Sequence, residues 1–246
     1  MHFGCRSCTP SKVAEENARG ESATSILGDV SEEDQKIIIE KHNLLRGAVQ
    51  PPASNMLKMR WNEEAAKTAA EWVSKCLGEP SPKEERMVDG KVCGESILRA
   101  NYPSSWTDVV DIFASHQPYF KYGIGTTDSS KDILSYTQII WSHSNQLGCA
   151  HAYCLNNIHN FHYVCHYCPG GNIQGKINTP YKEGPSCGDC PNNCENNLCN
   201  YSCQYIDDDY CETLLKSFKC DVNFVQEKCP ATCKCPKDAV QVQEIA

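Results

Sequence analysis

The sequence predicts an α+β protein: a three-layer α-β-α sandwich followed by a small, disulfide-rich helical domain. Three observations lead to this fold class. The stretch from Ile133 to Ile173 contains strand-like runs. The residues before it show the three-to-four spacing of amphipathic helices. The eighteen cysteines are divided unevenly, with two at positions 5 and 8, six between 76 and 168, and ten between 187 and 235, which predicts two separately stapled units.

Length and composition allow one domain of ordinary size plus a small one. The chain has 246 residues, of which 40 % are hydrophobic, and this is enough for a packed core. An even number of cysteines, eighteen, indicates disulfides formed in an extracellular or secretory compartment. The first seventeen residues lack the apolar stretch of a secretory signal, although this cysteine content requires export.

Net charge and hydropathy exclude several classes of partner. A formal charge of −8 at pH 7 argues against tracking of nucleic-acid phosphates and against simple adhesion to anionic lipid. The chain has no run of 18 or more apolar residues, so no segment is expected to span a membrane. We therefore expect no nucleic-acid partner and no membrane-spanning segment.

Residues 1–30 are predicted to be a flexible extension, because they are polar and show no periodicity. Within them, Cys5 and Cys8 form a CxxC pattern, which could be a metal half-site or a redox pair. No second CxxC or pair of histidines lies nearby in the sequence, so a small disulfide or free thiols is the favoured interpretation.

Three helices are predicted before the central stretch. Each begins at a residue whose side chain can cap a helix and carries apolar residues on one stripe. Their boundaries are Ser31 and Gly47 for the first, Asn62 and Cys76 for the second, and Ser105 and Pro118 for the third. In the first helix, His42 lies on an apolar face, and a packed, hydrogen-bonded histidine is favoured there over a metal ligand.

The central stretch supplies the predicted sheet. Apart from Gln138, residues Tyr136 to Trp141 are aromatic or β-branched, and the run is predicted to form a strand. In the run from Phe161 to Tyr167, the side chains alternate with period two. One face carries Phe161, Tyr163, Cys165 and Tyr167, and the other carries His162, Val164, His166 and Cys168. Helices on both sides of this antiparallel sheet give the three layers.

After Asn172 the composition changes to a Gly-, Pro- and Lys-containing linker followed by closely spaced cysteines. Five cysteines between 187 and 203 leave little room for a hydrophobic core, so this unit must depend on disulfides, each worth about 2–4 kcal/mol. A zinc-finger interpretation of CGDCPNNCENNLC is disfavoured by the ten-cysteine count and the secretory context. Asn200, in the sequence NYS, is a candidate N-glycosylation site.

The motifs HNLLR, CGE, TQIIW, LGCA and YVCHYCPGGNI, together with a ten-cysteine tail, resemble the vertebrate cysteine-rich secretory proteins of the CAP superfamily. The resemblance runs from about Glu33 to Cys235. It implies a CAP domain at 31–180, a disulfide-rich hinge at 181–202, a domain similar to ShK-type channel-blocking toxins at 203–236, and a tail at 237–246. The implied disulfides are Cys76–Cys154, Cys93–Cys168, Cys149–Cys165, Cys187–Cys194, Cys190–Cys199, Cys203–Cys235, Cys211–Cys229 and Cys220–Cys233. Without the resemblance, six cysteines alone allow fifteen pairings.

Many CAP domains carry two histidines and two glutamates around a central cavity, where some members bind zinc. The resemblance places these positions at Pro80, Glu95, His116 and Ser135, so three of the four have changed. Zinc needs three or four converging ligands, and Glu95 with His116 supplies at most two. The sequence therefore predicts no metal and no cofactor here, and the remaining histidines are interpreted as a scattered surface set.

Two classes of function remain for comparison. Ser135, His116 and Glu95 form a tempting hydrolase trio, but no nucleophile-elbow motif surrounds the serine, so we expect no enzyme. Sterol binding is a property of the family that the sequence does not locate. A degenerate hydrolase or a sterol-binding protein is the alternative to the binding module favoured below.

The resemblance favours a secreted, non-enzymatic binding module that acts on a membrane receptor or ion channel at a cell surface. It implies a place in the reproductive tract, with sperm association and gamete interaction. Blocking a cation pore calls for a lysine beside an aromatic residue, and the candidates are Lys216 with Phe218 or Tyr210. Residues 187–246 contain five basic and ten acidic residues, which opposes toxin-like plugging but leaves regulatory contact open. The acidic run Asp207 to Asp209 is interpreted as a solvated loop.

Overall fold

The computed structural model of the protein describes residues 25–200, 202–203, 210–235 and 240–241. The α-helices are α1 (Glu32–Gly47), α2 (Glu63–Val73), α3 (Trp106–Ala114), α4 (Leu134–Ile139), α5 (Cys211–Leu214), α6 (Asn223–Lys228) and α7 (Pro230–Lys234). Short 3-10 turns cover Lys83–Glu85 and Gln117–Tyr119. None of the described helices combines the length and the apolar character that crossing a membrane requires.

The described strands are short except for three in the central sheet. They are β1 (Ser25–Gly28), β2 (Arg60–Trp61), β3 (Met87–Val88), β4 (Lys91–Val92), β5 (Gly94–Ala100), β6 (Phe120–Lys121), β7 (Gly125–Thr126), β8 (Gln146–Cys154), β9 (Phe161–Cys168), β10 (Cys194–Glu195), β11 (Leu198–Cys199), β12 (Ser202–Cys203) and β13 (Val240–Gln241).

The central sheet has the order β1-β8-β9-β5, and β2 runs parallel to the start of β8. On one face, residues of α1, α3 and α4 share a buried core with alternate residues of the sheet, such as Tyr163 and Tyr167. On the other face, α2 packs on Val164 and its neighbours. These layers confirm the predicted α-β-α sandwich, because each face of an antiparallel sheet buries its apolar side chains against helices.

Helix starts agree with the predicted caps. The Ser31 hydroxyl accepts the N–H of Asp34, the Asn62 side chain accepts the N–H of Ala65, and the Ser105 hydroxyl accepts the N–H of Asp108, at 3.1, 2.8 and 3.2 Å. Each bond satisfies one of the N–H groups that a helix leaves unpaired in its first turn. The three caps are therefore confirmed.

The predicted strand from Tyr136 to Trp141 is wrong, because Leu134–Ile139 forms helix α4. Tyr136, Ile139 and Ile140 are all buried in the main core, and their spacing of three and four places them on one helical face. A six-residue run with Tyr, Ile and Trp as its apolar residues fits a buried strand or a buried helix equally well, so its composition could not decide between them.

The prediction of a flexible extension over residues 1–30 missed strand β1. Ser25–Gly28 pairs antiparallel with the end of β8, and Ile26 lies opposite Tyr153. Four residues show too little periodicity to be recognised, since it is the neighbouring strand that selects their conformation. The predictions for Cys5, Cys8 and Asp207 to Asp209 lie outside the described residues.

Seven disulfides are described, and each joins a pair that the family resemblance implies. Three of them staple the sandwich: Cys76–Cys154, Cys93–Cys168 and Cys149–Cys165. Two lie in the hinge, Cys187–Cys194 and Cys190–Cys199, and two in the small helical unit, Cys211–Cys229 and Cys220–Cys233. The predicted Cys203–Cys235 bridge lies outside the described side chains.

The hinge residues 187–200 pack against the first domain near the start of β8. The N–H of Lys58 donates to the carbonyl of Cys199 at 2.9 Å, and the Arg60 guanidinium donates to the carbonyl of Asn200 at 2.8 Å. Leu198 is buried in the same core as α1. Backbone hydrogen bonds and an apolar anchor therefore attach this part of the hinge to the sandwich.

A buried arginine ties α1 to the chain segments beside the hinge. Arg46 is fully buried, and its guanidinium donates five hydrogen bonds to four backbone carbonyls. The acceptors are Leu57, Ile139, Trp141 and Ser142, at distances from 2.6 to 2.9 Å. Burial lowers the pKa of Arg46 to about 9, since the low-dielectric interior disfavours its charge.

Candidate functional site

The cavity positions that the resemblance implies border a cleft of about 1280 Å³. One wall is the segment that contains β3, β4 and the start of β5, and the other is formed by the start of α4 and residues 169–174. Pro80, Glu95 and Ser135 line this cleft. His116 is not among the lining residues, so the structure brings three of the four positions to one surface.

Glu95 is held in place by two hydrogen bonds. One carboxylate oxygen accepts the N–H of Ser81 at 2.8 Å, and the other lies 3.1 Å from Nε2 of His166. Burial alone would raise the pKa of Glu95, but the hydrogen bonds from His166 and Ser81 outweigh it and lower the pKa below its usual value. The only acidic group at the four positions is therefore used to fasten the loop that contains Ser81 to the sheet.

The chain of contacts continues beyond His166. Its Nδ1 lies 2.8 Å from the hydroxyl of Thr68 on α2, so both ring nitrogens have protein partners. The prediction that His166 and His162 belong to a scattered surface set is wrong, because both are buried. The alternation along β9 placed these residues on one face of the strand, but the helix α2 that covers them could not be inferred from that pattern.

The interpretation of His42 is confirmed. It is buried, with its Nδ1 2.7 Å from the carbonyl of Ile38 and its Nε2 3.1 Å from the Tyr167 hydroxyl.

The hydrolase trio does not form a hydrogen-bonded relay. Nδ1 of His116 is bonded to the carbonyl of Asp132, and both oxygens of Glu95 are engaged elsewhere. Within the described part of the chain, no hydrogen bond joins Ser135 to His116 or to Glu95. A serine nucleophile needs a base in hydrogen-bond reach and a third group to orient that base, and this arrangement supplies neither contact.

The residues at the cleft do not fit a zinc ion. Pro80 has no ligand atom, and Glu95 could ligate a metal only by giving up Ser81 or His166. Tetrahedral zinc takes three or four N, S or O ligands, so this set is too small. Among the described residues, the one cluster with metal-like spacing is Cys187, Cys190 and Cys199, and all three sulfurs are already bonded in disulfides.

We expect purified protein to carry no stoichiometric zinc at this cleft. Elemental analysis after dialysis against micromolar zinc should give a zinc content well below one per chain, since the cleft offers at most two ligands. The matched variant Glu95→Ala should give the same content as wild type. A full equivalent of zinc that disappears in Glu95→Ala would show that the cleft does hold the metal.

The candidate residues of the C-terminal unit are exposed. Phe218 has 51 % of its surface exposed, and Tyr210 and Lys216 are also exposed. Lys216 and Phe218 lie in the turn that follows α5. The interior of the unit is small, with Val225 and the Cys211–Cys229 bridge at its centre. The disulfides therefore leave the aromatic side chains facing solvent.

The candidate glycosylation residue lies where the hinge meets the sandwich. The N–H of Asn200 donates to the carbonyl of Asn193 at 2.9 Å, and its own carbonyl accepts from Arg60. Its side chain is half-buried. Both backbone groups of Asn200 are thus engaged in the folded protein.

The fold and the cleft define a class of disulfide-stapled α-β-α sandwich proteins with a cysteine-rich C-terminal unit. The family model described as the cysteine-rich secretory protein family, CAP, matches residues 39–167, which is more than half of the chain. A second model, described as Crisp, matches residues 187–240. The chain belongs to the cysteine-rich secretory protein family.

Solved structures support the same fold. The crystal structure of NaASP2 with Zn²⁺ is 26 % identical, with a TM-score of 0.56, and the match covers 69 % of this chain and 96 % of that one. The crystal structure of Na-ASP-1 is 25 % identical, with a TM-score of 0.58 over 78 % of this chain and 52 % of that one, so this chain matches about half of Na-ASP-1. The venom allergen-like protein 4 of Schistosoma mansoni is 21 % identical, with a TM-score of 0.52 over 65 % of this chain and all of that one, and it shows the fold alone.

The family and the seven described disulfides indicate an extracellular protein.

The contacts of Glu95 were not predicted from the sequence, although the resemblance gave its position at the cleft. Ser81 and Thr68 are fourteen and twenty-seven positions from Glu95 in the sequence and carry no motif of their own. The caps and the cysteines had recognisable local patterns, whereas this hydrogen-bond network had none.

Proposed function

We propose that this protein is an extracellular, non-catalytic binding module that contacts a receptor or ion channel at a cell surface through its small C-terminal helical unit. The reproductive tract, with sperm as the target cell, is the setting that the family resemblance favours. The single observation that carries the proposal is the surface of residues 210–235, which combines exposed aromatic residues with an excess of lysine.

The exposed apolar residues of this unit are Tyr210, Phe218, Val222 and Phe224. Aromatic residues that stay exposed on a rigid, disulfide-stapled scaffold are typical anchors of protein interfaces, because they bury a large area at little conformational cost. A unit this small cannot bury them in its own core. Their exposure therefore favours a partner that covers them.

The charge of the same unit also favours contact with a cation-attracting site. Residues 210–235 contain four lysines and three acidic residues, although residues 187–246 as a whole carry ten acidic and five basic residues. The acidic excess thus lies in the hinge and in the flanking segments rather than in the helical unit. Repulsion between acidic residues and a cation channel is therefore expected from those segments. It is not expected from the helical unit that contains Lys216.

The cleft supports a non-catalytic role. Glu95 is the one acidic residue at the family positions, and its two carboxylate oxygens are hydrogen-bonded to Ser81 and His166. In the described structure, Ser135 has no base within hydrogen-bond distance. General acid-base catalysis requires a group that is free to exchange a proton with a substrate. We therefore assign the first domain a scaffold role.

The double variant Lys216→Gln/Phe218→Ser is expected to bind sperm roughly tenfold or more weakly than wild type. A loss of this size is typical when an aromatic anchor and its neighbouring cation are removed. Fluorescently labelled full-length protein and flow cytometry give the affinity, and whole-cell current recordings report any effect on channels. Both changes lie at exposed positions, so the fold should remain intact.

The matched control changes an exposed lysine and an exposed aliphatic residue on α1, Lys36→Gln with Leu44→Ser. It should bind like wild type. Protease treatment of the cells should abolish binding, because the proposed partner is a protein. Equal binding by wild type and the Lys216/Phe218 variant would remove the C-terminal unit from the proposal.

A further inference from the structure

Exposed apolar side chains gather at one end of the sandwich, where β8 turns into β9. We call this surface the hairpin end and define it by Ile26, Leu77, Tyr102, Tyr153, Leu155 and Ile158, all of which are exposed. Ile158 has 91 % of its surface exposed and Tyr102 has 75 %. An isoleucine exposed to this degree protrudes from the fold and makes almost no contact with its own chain. Core packing does not account for these side chains, and exposed apolar patches of this kind mark interaction surfaces.

Four separate chain segments are fastened together at the hairpin end. Cys76–Cys154 joins the loop of Leu77 to the end of β8, and the Asn157 side chain donates to the carbonyl of Cys76 at 2.9 Å. Nδ1 of His159 lies 2.8 Å from the side-chain oxygen of Asn101, which brings Tyr102 beside the turn. Ile26 lies opposite Tyr153 in the sheet. The apolar surface is therefore held together by a disulfide and by hydrogen bonds.

The charge around the hairpin end differs from that of the whole protein. The chain carries a formal charge of −8, yet residues 133–182 contain no Asp or Glu, and neither do residues 96–107. The basic side chains on these segments near the turn are the exposed Arg99, the half-buried His159 and the buried His162. The nearest acidic residues along the chain are Asp29, after β1, and Glu79, after Leu77. Within an acidic protein, the turn that carries Leu155 and Ile158 and the segment of Tyr102 thus lack negative charge, whereas Glu79 lies two residues from Leu77.

We propose that the hairpin end docks on the surface of an anionic lipid membrane, with Ile158, Leu77 and Leu155 entering the interfacial region. Protruding aliphatic side chains suit a fluid bilayer, which adapts to them, whereas a protein partner would need a matching hollow for each. Tyr102 and Tyr153 present the apolar body and polar tip that favour the headgroup level. The turn between β8 and β9 and the segment of Tyr102 carry no carboxylate, which limits repulsion by anionic headgroups there.

Net charge is a poor guide to contact between this surface and a bilayer. The charge of −8 argues against adhesion through uniform electrostatic attraction, but attraction falls off within about 10 Å at 0.1 M salt. The local surface that faces the bilayer therefore decides the contact. The inference concerns the first domain and does not depend on the proposed role of the C-terminal unit.

The test uses full-length protein and protein-free vesicles of phosphatidylcholine, with and without phosphatidylserine. Wild type should sediment with the mixed vesicles and more weakly with phosphatidylcholine alone. Ile158→Asp should weaken binding to the mixed vesicles by roughly tenfold or more, because it removes an inserted aliphatic group and adds a repelled charge. Leu77→Asp should act in the same direction.

The matched control is Ile124→Asp, since Ile124 lies in the turn between β6 and β7 and is exposed to the same 57 % as Leu77. It adds the same charge elsewhere and should bind within about twofold of wild type, with an unchanged thermal melting profile. Three results would each overturn the proposal: no sedimentation of wild type with either vesicle, equal losses in Ile124→Asp and Leu77→Asp, or full binding by Ile158→Asp. Because the vesicles contain no protein, failure here is distinct from failure of the sperm-binding experiment.

Discussion

Replacing Arg46 with methionine is expected to lower the free energy of unfolding by about 3–5 kcal/mol. The side chain is fully buried and donates to the carbonyls of Leu57, Ile139, Trp141 and Ser142. Methionine fills a similar space but leaves those carbonyls without their donor in the interior, and each buried, unsatisfied carbonyl costs about 1–3 kcal/mol. The loss should exceed that of an ordinary core substitution.

Guanidinium chloride unfolding at neutral pH without reductant measures this effect while the disulfides stay intact. Arg60→Met is the matched control, because Arg60 is exposed and its guanidinium donates to one carbonyl, that of Asn200. Its cost should remain below about 1 kcal/mol. Arg46→Lys should lie between the two, since one ammonium cannot reach four carbonyls as a planar guanidinium does. Similar losses for Arg46→Met and Arg60→Met would show that the buried network contributes little.

Acidification from pH 6.5 to pH 4 is expected to remove about 3 kcal/mol of stability through His42 alone. In the unfolded chain this histidine takes up a proton near its ordinary pKa of 6.5, whereas burial lowers the pKa in the folded protein to about 4. Between those values protons bind the unfolded chain preferentially. The stabilising contribution is therefore complete above pH 6.5 and is lost as the pH falls towards 4.

The measurement compares unfolding free energies of wild type and His42→Gln across this pH range. The glutamine does not titrate, so the difference between the two proteins should shrink steadily below pH 6.5. Burial also lowers the pKa of His151 and His162, and their contributions cancel because both proteins contain them. The lowered pKa of Glu95 is likewise common to both. A difference that stays constant from pH 6.5 to pH 4 would mean that His42 is not held neutral.

The helices could be predicted from the sequence where capping and periodicity acted together. Ser31, Asn62 and Ser105 cap the helices that were expected, because a hydroxyl or amide oxygen meets the first-turn N–H groups by local geometry alone. Helix α4 was not predicted, because its short aromatic and β-branched run suits a buried strand as well as a buried helix. Tertiary packing of Tyr136 and Ile139 selects the helix.

The candidate site was predictable only in part. The resemblance placed Pro80, Glu95, His116 and Ser135 around one cavity, and the structure has all of them except His116 at the cleft. The use of Glu95 as a fastener depends on Ser81 and His166, which the fold brings to it from elsewhere in the sequence. Arg46 belongs to a recognised family motif, yet its complete burial follows from segments as distant as Ser142. Contacts between distant segments leave no periodic signal.

Strand β8 connects the segment that holds the hinge to the hairpin end. It begins at Gln146, beside β2 and the segment on which the hinge is fastened, and ends at Cys154, where the apolar side chains protrude. Nine residues of extended chain span about 30 Å. With the far end resting on a lipid surface, the sandwich would act as a fixed spacer that raises the hinge by that height. The receptor sites within reach would then be those that stand well clear of the bilayer, on a long ectodomain or on an apposed cell.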